Sequence, residues 1–337
     1  MKKSFGITAF ITLALLFAAG ILFIYFDSPV SADSDESIVV EIGKGETLSS
    51  ISENLAEKNL IRSPLLLQII SRIKGTDMKM KSGQYSIRSS MSTLEIHNLI
   101  VSGSGLLYKV TIPEGLTSSR ISVIMEKNRI TAADSFIAAV ASKEIISDFN
   151  ISSDSLEGYL FPDSYFFPQN YPAEKVVSFM VENFFRQLKS IYPQYSTLTA
   201  EEIRDRVTIA SIVEREYRVE KEAPLIASVF FNRIDTKIPL GSCATVEYVI
   251  TEIQKKPHPE FLTYDDIAIQ SPYNTYIHRG LPPSPISNPG RIAIDAAFNP
   301  AESDFYYFLL KDKNSGEHFF SRKLSEHNEA RVLYLKK

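Results

Sequence analysis

The sequence predicts an α+β protein with an N-terminal membrane-spanning helix, small α/β modules, and then a larger mixed α/β region that carries the chemistry. Three observations predict it. Phe5 to Phe26 contains no charged residue. A strand, a Gly turn and a capped helix occur twice, at an offset of 70 residues. Beyond residue 131, helical runs alternate with Gly- and Pro-rich loops and end in a hairpin and a helix.

The elements follow in chain order. Residues 1–4 form a basic tail, with Lys2 and Lys3. The uncharged stretch 5–26 rises about 1.5 Å per residue as a helix, enough to cross the hydrocarbon core. Acidic Asp27, Asp33, Asp35 and Glu36 follow, so the positive-inside rule leaves the tail in the cytoplasm and the remainder outside a cytoplasmic membrane. A cleaved signal peptide is the other reading, because Val30-Ser31-Ala32 offers a small-residue cleavage site. Residues 27–37 read as a polar linker.

The repeat begins at Val40. Val40, Ile42, Gly45, Thr47, Ser49, Ile51 and Ser52 match Val110, Ile112, Gly115, Thr117, Ser119, Ile121 and Ser122. The two lines rejoin, after a one-residue gap, at Lys58-Asn59 and Lys127-Asn128. In each copy a short alternating strand precedes a Gly turn, and the Thr caps a helix with apolar residues at helical spacing. The first copy continues through a second helix, 63–73, into a strand ending at Ile87. This first module spans 38–89, and the second repeat-like unit lies at about 108–130, inside the larger region 90–337.

Residues 131–198 read as helices around an interruption at 156–167, where Gly158 and Pro162 disfavour a helix interior. Residues 199–219 form a helix opened by a Thr199/Glu202 capping box, and Pro224 starts another that runs to about Arg233. Residues 235–300 read as loop-rich, Asp304–Lys311 and Glu317–Arg322 as a hairpin, and about 324–334 as a final helix.

Composition excludes several function classes. The 337 residues carry a net charge of −4, against the basic face that nucleic-acid binding needs. Cys243 is the sole cysteine and reads as a small buried thiol, so neither a disulfide nor a Cys-based zinc site can be assembled. The five histidines form no His-Glu-x-x-His pattern, no phosphate-binding Gly loop is present, and no Gly-x-Ser-x-Gly elbow occurs. No metal or cofactor is expected.

Glu214 ends the uncharged run Val207–Val213 and shares a helix face with Ile203, Val207 and Ala210. A carboxyl group so placed is disfavoured as an anion and holds its proton toward neutral pH, as a general acid must. The plain alternative is a Glu at the frayed end of a core helix, paired with Arg215 or Arg218. Glu216 lies about 160° further round the helix and faces other neighbours. Glu157 and Asp163 lie in the interruption beside Tyr159 and Tyr165, and their plain reading is helix-end capping and ion pairing. Tyr273, Asn274, Thr275 and Tyr276 offer ring, amide and hydroxyl surfaces suited to lining a groove, or form a Pro-bounded surface loop.

Two resemblances then apply. Gly45-Glu-Thr-Leu-Ser-Ser-Ile51, within its strand–helix–helix–strand unit, resembles a LysM module, which implies either affinity for N-acetylglucosamine-containing glycans or a structural spacer of that fold. Leu156-Glu-Gly-Tyr-Leu-Phe-Pro-Asp-Ser-Tyr165, Ala210-Ser-Ile-Val-Glu-Arg-Glu216, the Phe-Asn-Arg core of Val229–Ile234, Ser271–Tyr276, Gly280–Ile286, Asn288-Pro-Gly290 and Glu326-His-Asn328 occur in the order of MltG-type (YceG-like) endolytic murein transglycosylases, which the chain resembles over about 38–330. The resemblance implies a bacterial envelope enzyme that cuts peptidoglycan glycan strands internally, with Glu214 as catalytic acid and base and 1,6-anhydro ends as product. It implies work beside penicillin-binding-protein synthases, substrate contacts at Tyr159, Tyr165, Glu216, Ser242 and Thr245, a glycan groove at Tyr273, Asn274 and Tyr276, and Glu157 and Asp163 orienting sugar hydroxyls or polarising Glu214, while His327 and Asn328 bind substrate or cap the last helix. In one place the chain departs from the family: Gly241 and Cys243 stand where an amide and a carboxylate are common, which puts those contacts in doubt. A lysozyme-type hydrolase and a non-catalytic glycan-binding scaffold are the rival readings.

Overall fold

The computed structural model describes residues 2–31, 37–103 and 105–335, without the side chains of 2–12, 15, 16 and 335. The chain mixes helix and sheet and divides into two compact units, Met1–Tyr108 with Phe166–Asn170, and Lys109–Tyr165 with Tyr171–Lys337.

The first unit opens with helix α1, Lys2–Asp27, whose described large apolar side chains, from Leu13 to Tyr25, are exposed. Among the described residues no helix is long and apolar enough to cross a membrane. The span expected at 5–26 falls largely on residues whose side chains lie outside the description. Strand β1 (Ser37–Ile42), helices α2 (Leu48–Glu57) and α3 (Pro64–Ile73) and strand β2 (Gly83–Arg88) follow in the expected order, and the strands pair antiparallel from Ser37↔Arg88 to Ile42↔Gly83. A further helix, α4 (Thr93–Ser102), starts at a Ser92/Glu95 capping box. Its Ile96 and Ile100 join Val40, Ile42, Ile51, Leu55, Leu60, Leu67, Tyr85 and Ile87 in one buried cluster. The expected linker is partly fixed: Ser31 N–H donates to the Ser89 carbonyl, and Arg62 donates to the carbonyls of Ser28, Pro29 and Val30. Residues 32–36 of that linker, and Ala32 of the alternative cleavage site, lie outside the described residues.

The repeat recurs at β3 (Tyr108–Thr111) and α5 (Ser118–Lys127). Thr47 and Thr117 cap α2 and α5, accepting from Ser50 N–H and Arg120 N–H. Gly45 (φ 81°) and Gly115 (φ 73°) both make a left-handed turn that a side chain would strain. Both helices also end alike. Asn59 (φ 52°) and Arg129 (φ 57°) turn left-handed, and Leu60 and Ile130 donate back to Leu55 and Met125. The offset is therefore 70 throughout, and the expected one-residue gap is an error: a chance Lys-Asn match outweighed the backbone, which needs a left-handed residue at 59 and 129.

Helices α6 (Ala133–Val140) and α7 (Lys143–Asp148) lead to strand β4 (Ser164–Phe167), which pairs with β3. This strand lies within the interruption. Sequence reading missed it because four residues beside Pro162 are too few to show alternation. The helices α8 (Ala173–Ile191), α9 (Ala200–Glu216) and α10 (Ala223–Asp235) build the main core, with Val207–Val213 of α9 buried on every side. The stretch expected as loop-rich contains three more helices: α11 (Cys243–Tyr248), α12 (Tyr264–Ile267) and α13 (Arg291–Phe298). Helix α13 packs on α8, α9 and α10, and it was hidden because Pro289-Gly290 reads as a turn. The β5 (Tyr307–Leu310) and β6 (His318–Ser321) hairpin and helix α14 (Leu324–Leu335) close the chain as expected.

Candidate active site

The site is built within the second unit at the C-terminal end of α9. Apolar packing locks α9 in place, and Ser211 fastens the incoming 286–290 segment to it. Ile286 N–H donates to Ser211 Oγ at 3.0 Å, and Ser287 Oγ donates to the Ser211 carbonyl at 3.0 Å. That segment delivers Gly290, whose N–H donates to Glu214 Oε2 at 2.9 Å. Gly290 caps α13, so the carboxyl group also sits at the positive end of a helix dipole.

The turn before α5 lies on the other side of Glu214. A Cβ built at Gly115 would lie 3.4 Å from Glu214 Cγ and 3.8 Å from Oε1. One built at Gly290 would lie 2.0 Å from Glu114 Oε1. Two glycines therefore let two carboxyl side chains meet. Glu214 Oε1 has no hydrogen-bond partner among the described residues, and Glu114 is exposed. Arg215, one of the two ion-pair partners that the plain alternative offered Glu214, pairs with Glu247 at 3.0 Å.

Burial pushes the Glu214 carboxyl up to about 7. The Gly290 N–H pulls it back, the neighbouring Glu114 charge pushes it further up, and Arg215 opposes that push. The half-buried Tyr217 phenol is held well above its ordinary value by burial and by the same two carboxylates, so it stays a neutral donor. Such an arrangement can keep a carboxylic acid protonated near neutral pH beside an ionised one.

Beneath these groups Asn288 ties three segments together. Its Oδ1 accepts from Gly158 and Leu160 N–H, both at 2.9 Å. Its Nδ2 donates to Glu157 Oε1 at 2.7 Å and to the Leu116 carbonyl at 3.0 Å. Gly115 N–H donates to the Asn288 carbonyl, and Asn288 N–H to that of Leu116. Glu157 caps α5, accepting from Ser118 N–H with both oxygens at 3.0 Å. Burial raises Glu157 to about 7, with the Ser118 and Asn288 hydrogen bonds opposing and Glu252 adding to the rise. Because its oxygens are spent on the cap, Glu157 acts here as a positioning group.

The structure places the other sequence candidates as follows. Tyr159 is 1% exposed and packs edge-on to Phe184, inside the core. Tyr165 is buried, its hydroxyl donating to the Phe161 carbonyl. Asp163 holds Ser164 N–H and the Asn183 amide. Asn274 is fully buried and spends its amide on the carbonyls of Ile267 and Ile269. Tyr159, Tyr165, Asp163 and Asn274 thus spend their described contacts on protein groups. Glu216 accepts from Ser242 Oγ, and burial raises its proton affinity. Thr245 and Thr275 share a buried hydroxyl contact at 2.9 Å that holds the 241–245 turn. Tyr273 donates to or accepts from Ser284 Oγ at 2.7 Å and lines a cavity of about 430 Å³ with Ser152–Ser155 and Arg204. A second cavity, of about 350 Å³, is lined by Phe149, Tyr159, Phe185, Tyr195 and Ile203, and Glu214 lines neither. The His327 ring lies tilted against Tyr307 with centroids 5.5 Å apart, and Asn328 is exposed on α14.

Cys243 is exposed rather than buried, with its Sγ 3.1 Å from the Tyr276 hydroxyl. It starts α11 and points outward, which a loop reading could not foresee. Gly241 sits at φ 56°, a left-handed position where glycine is free of strain. Sequence reading missed Glu114 and Tyr217, gave Gly115 a turn only, and noted Gly290 only within its motif. The available signal was that the Glu114-Gly115 turn aligns with Lys44-Gly45, with opposite charge.

The profile of the YceG-like family matches residues 40–332. The chain belongs to the YceG-like family. Curated relatives agree. A Bacillus subtilis protein named endolytic murein transglycosylase is 30% identical over 91% of this chain and 87% of the relative. A Streptococcus pneumoniae protein of the same name is 30% identical over 97% of this chain, which spans 64% of that longer relative. The crystal structure of a yceG-like protein from Listeria monocytogenes matches with a TM-score of 0.56 and 29% identity, covering 88% of this chain and 99% of that one.

Proposed function

We propose that the chain is a lytic endolytic murein transglycosylase that cuts glycan strands of peptidoglycan at the bond from N-acetylmuramic acid to N-acetylglucosamine. The observation that carries this reading is Glu214: a half-buried carboxyl raised to about 7, with one oxygen held by Gly290 N–H and the other unpartnered among the described residues.

Glu214 gives its proton to the glycosidic oxygen, and the bond from that oxygen to the muramic C1 breaks. Positive charge builds at C1 and the ring oxygen. The ionised Glu114 stabilises that charge and favours the protonated form of Glu214 beforehand. Glu214, now a carboxylate, takes the proton of the C6 hydroxyl on the same sugar. The C6 oxygen closes on C1 and leaves a 1,6-anhydro end, so no water is consumed. The presence of Glu114 also favours one second reading, two-carboxylate hydrolysis of the same bond. Mass spectrometry of purified uncrosslinked strands separates the two: anhydro ends support transglycosylation, and reducing ends support hydrolysis. Glu214→Gln should lower turnover by on the order of 1,000-fold or more. Unchanged cleavage would remove Glu214 from the chemistry.

In the same reading α1 anchors the enzyme in the bacterial cytoplasmic membrane, with the chain beyond Asp27 outside it. The uncharged run 5–26 and the exposed apolar side chains from Leu13 to Tyr25 support this. The strand–helix–helix–strand order of 37–88 supports a LysM-like glycan-docking role for that module. A cut made beside the membrane releases nascent strands and places the enzyme next to the synthases that make them.

A further inference from the structure

Helix α3 has two apolar faces, and only one is used by the fold. Leu66, Leu67 and Ile70 are buried in the first-unit core. Leu65 (62% exposed), Ile69 (41%) and Ile73 (81%) form a second stripe at i, i+4 and i+8, and Met78 (92%) lies just beyond. The surrounding charges are nearly all of one sign. Arg62, Arg72, Lys74, Lys79 and Lys81 are exposed, and Asp77 is the single acid between residues 62 and 81. Helix α2, the neighbour of α3, instead carries Glu53 and Glu57.

The place of this stripe relative to α1 is fixed by contacts. The Arg62 guanidinium lies over the Tyr25 ring at 5.4 Å. The Asp27 carboxylate accepts from Leu94 N–H at 2.8 Å, and Thr93 Oγ1 donates to the Phe26 carbonyl at 3.2 Å. Helices α3 and α4 both touch α1. These contacts hold α3 and α4 to the end of α1.

We propose that the Leu65–Ile69–Ile73 stripe of α3 lies in the interface of the anionic membrane from which α1 emerges, with the flanking Arg and Lys side chains on lipid phosphates. An amphipathic helix with an apolar face and a cationic rim has the chemistry that such an interface takes up. Continuity with α1 and the sign of the rim select lipid over a protein partner. The proposal rests on the anchor reading of α1.

The test uses the full chain in phosphatidylcholine/phosphatidylglycerol vesicles, in a Cys243→Ser background. Nitroxide labels are placed singly through Ile73→Cys, Ile21→Cys on α1 and Glu57→Cys on α2. Collision rates are then compared for oxygen, which partitions into lipid, and a water-soluble nickel chelate. The expected result is that the Ile73 label favours oxygen several-fold, as the Ile21 label does, while the Glu57 label favours nickel. If the Ile73 label favours nickel while the Ile21 label favours oxygen, α3 rides in water and the proposal is overturned with the anchor intact. If the Ile73 label is shielded from both, a protein surface covers the stripe, and the proposal is again overturned. If the Ile21 label favours nickel, the anchor reading itself fails, and the membrane contact of α3 fails with it.

Discussion

The two repeats use one backbone for two purposes. In both, a strand leads into a left-handed glycine, a threonine cap, a ten-residue helix and a left-handed exit. Both also return through a strand whose buried tyrosine, Tyr85 or Tyr165, donates to a carbonyl four residues back. They differ in what meets the turn. In the first copy Lys44 and Gly45 are exposed, and Glu46 satisfies its own turn through Gly43 N–H. In the second, Glu114 and Gly115 stand against Glu214 and Gly290, and the 156–160 insertion brings Glu157 onto the helix start. The comparison teaches that the turn supplies geometry only. Chemistry enters through an insertion between the second helix and the return strand, and through α9 and α13.

Five substitutions test this contrast. The largest effect on stability is expected at Gly158, which has no counterpart in the first copy. Its φ of 92° is strained for any side chain, and a Cβ there would lie 2.5 Å from Pro285. Gly158→Ala should cost about 3 kcal/mol, read as a lowered denaturation midpoint.

Next is Glu114→Gln, which makes the second turn electrically more like the first. It should lower kcat/KM on the order of tenfold to 100-fold without unfolding the chain. The acid form of Glu214 is lost as pH rises through about 7, so activity should fall over that range. Removing the Glu114 charge stabilises the Glu214 anion, so the alkaline limb should move to lower pH. A limb that stays in place would separate the two carboxylates.

The caps provide a smaller contrast. Thr117 is buried, accepts from Arg120 N–H and donates to Glu252 at 3.0 Å, whereas the side chain of exposed Thr47 accepts from Ser50 N–H. Thr117→Ala should cost about 2 kcal/mol and Thr47→Ala about 1 kcal/mol in thermal or chemical unfolding. Smallest of all, Lys44→Glu should leave stability within about 0.5 kcal/mol and cleavage unchanged.

The pattern of success in the sequence reading follows from distance along the chain. The Thr199 box, the Thr47 and Thr117 caps and the terminal hairpin are local, and each rests on residues a few positions apart. Glu214 was legible because seven uncharged residues precede it on one helix. Its partners were not, because Glu114, Tyr217 and Gly290 are brought together by packing between segments far apart in sequence. Asn274 misled for a different reason. An amide in a Pro-flanked loop suggests a surface contact, yet Asn274 is buried and its amide donates to the carbonyls of Ile267 and Ile269. Tyr159, expected beside the substrate, packs its ring against Phe184 in the core, a contact between segments that sequence spacing does not show.

Asn288 has one further consequence. A single amide grips the backbone at 116, 158 and 160 and the Glu157 carboxylate, two residues before the peptide N–H that holds Glu214. No one strand of this knot can slacken alone, so a polymer pulling on any of them loads all of them. Such a machine works intact or not at all, and a partly loosened state that still cuts is mechanically out of reach.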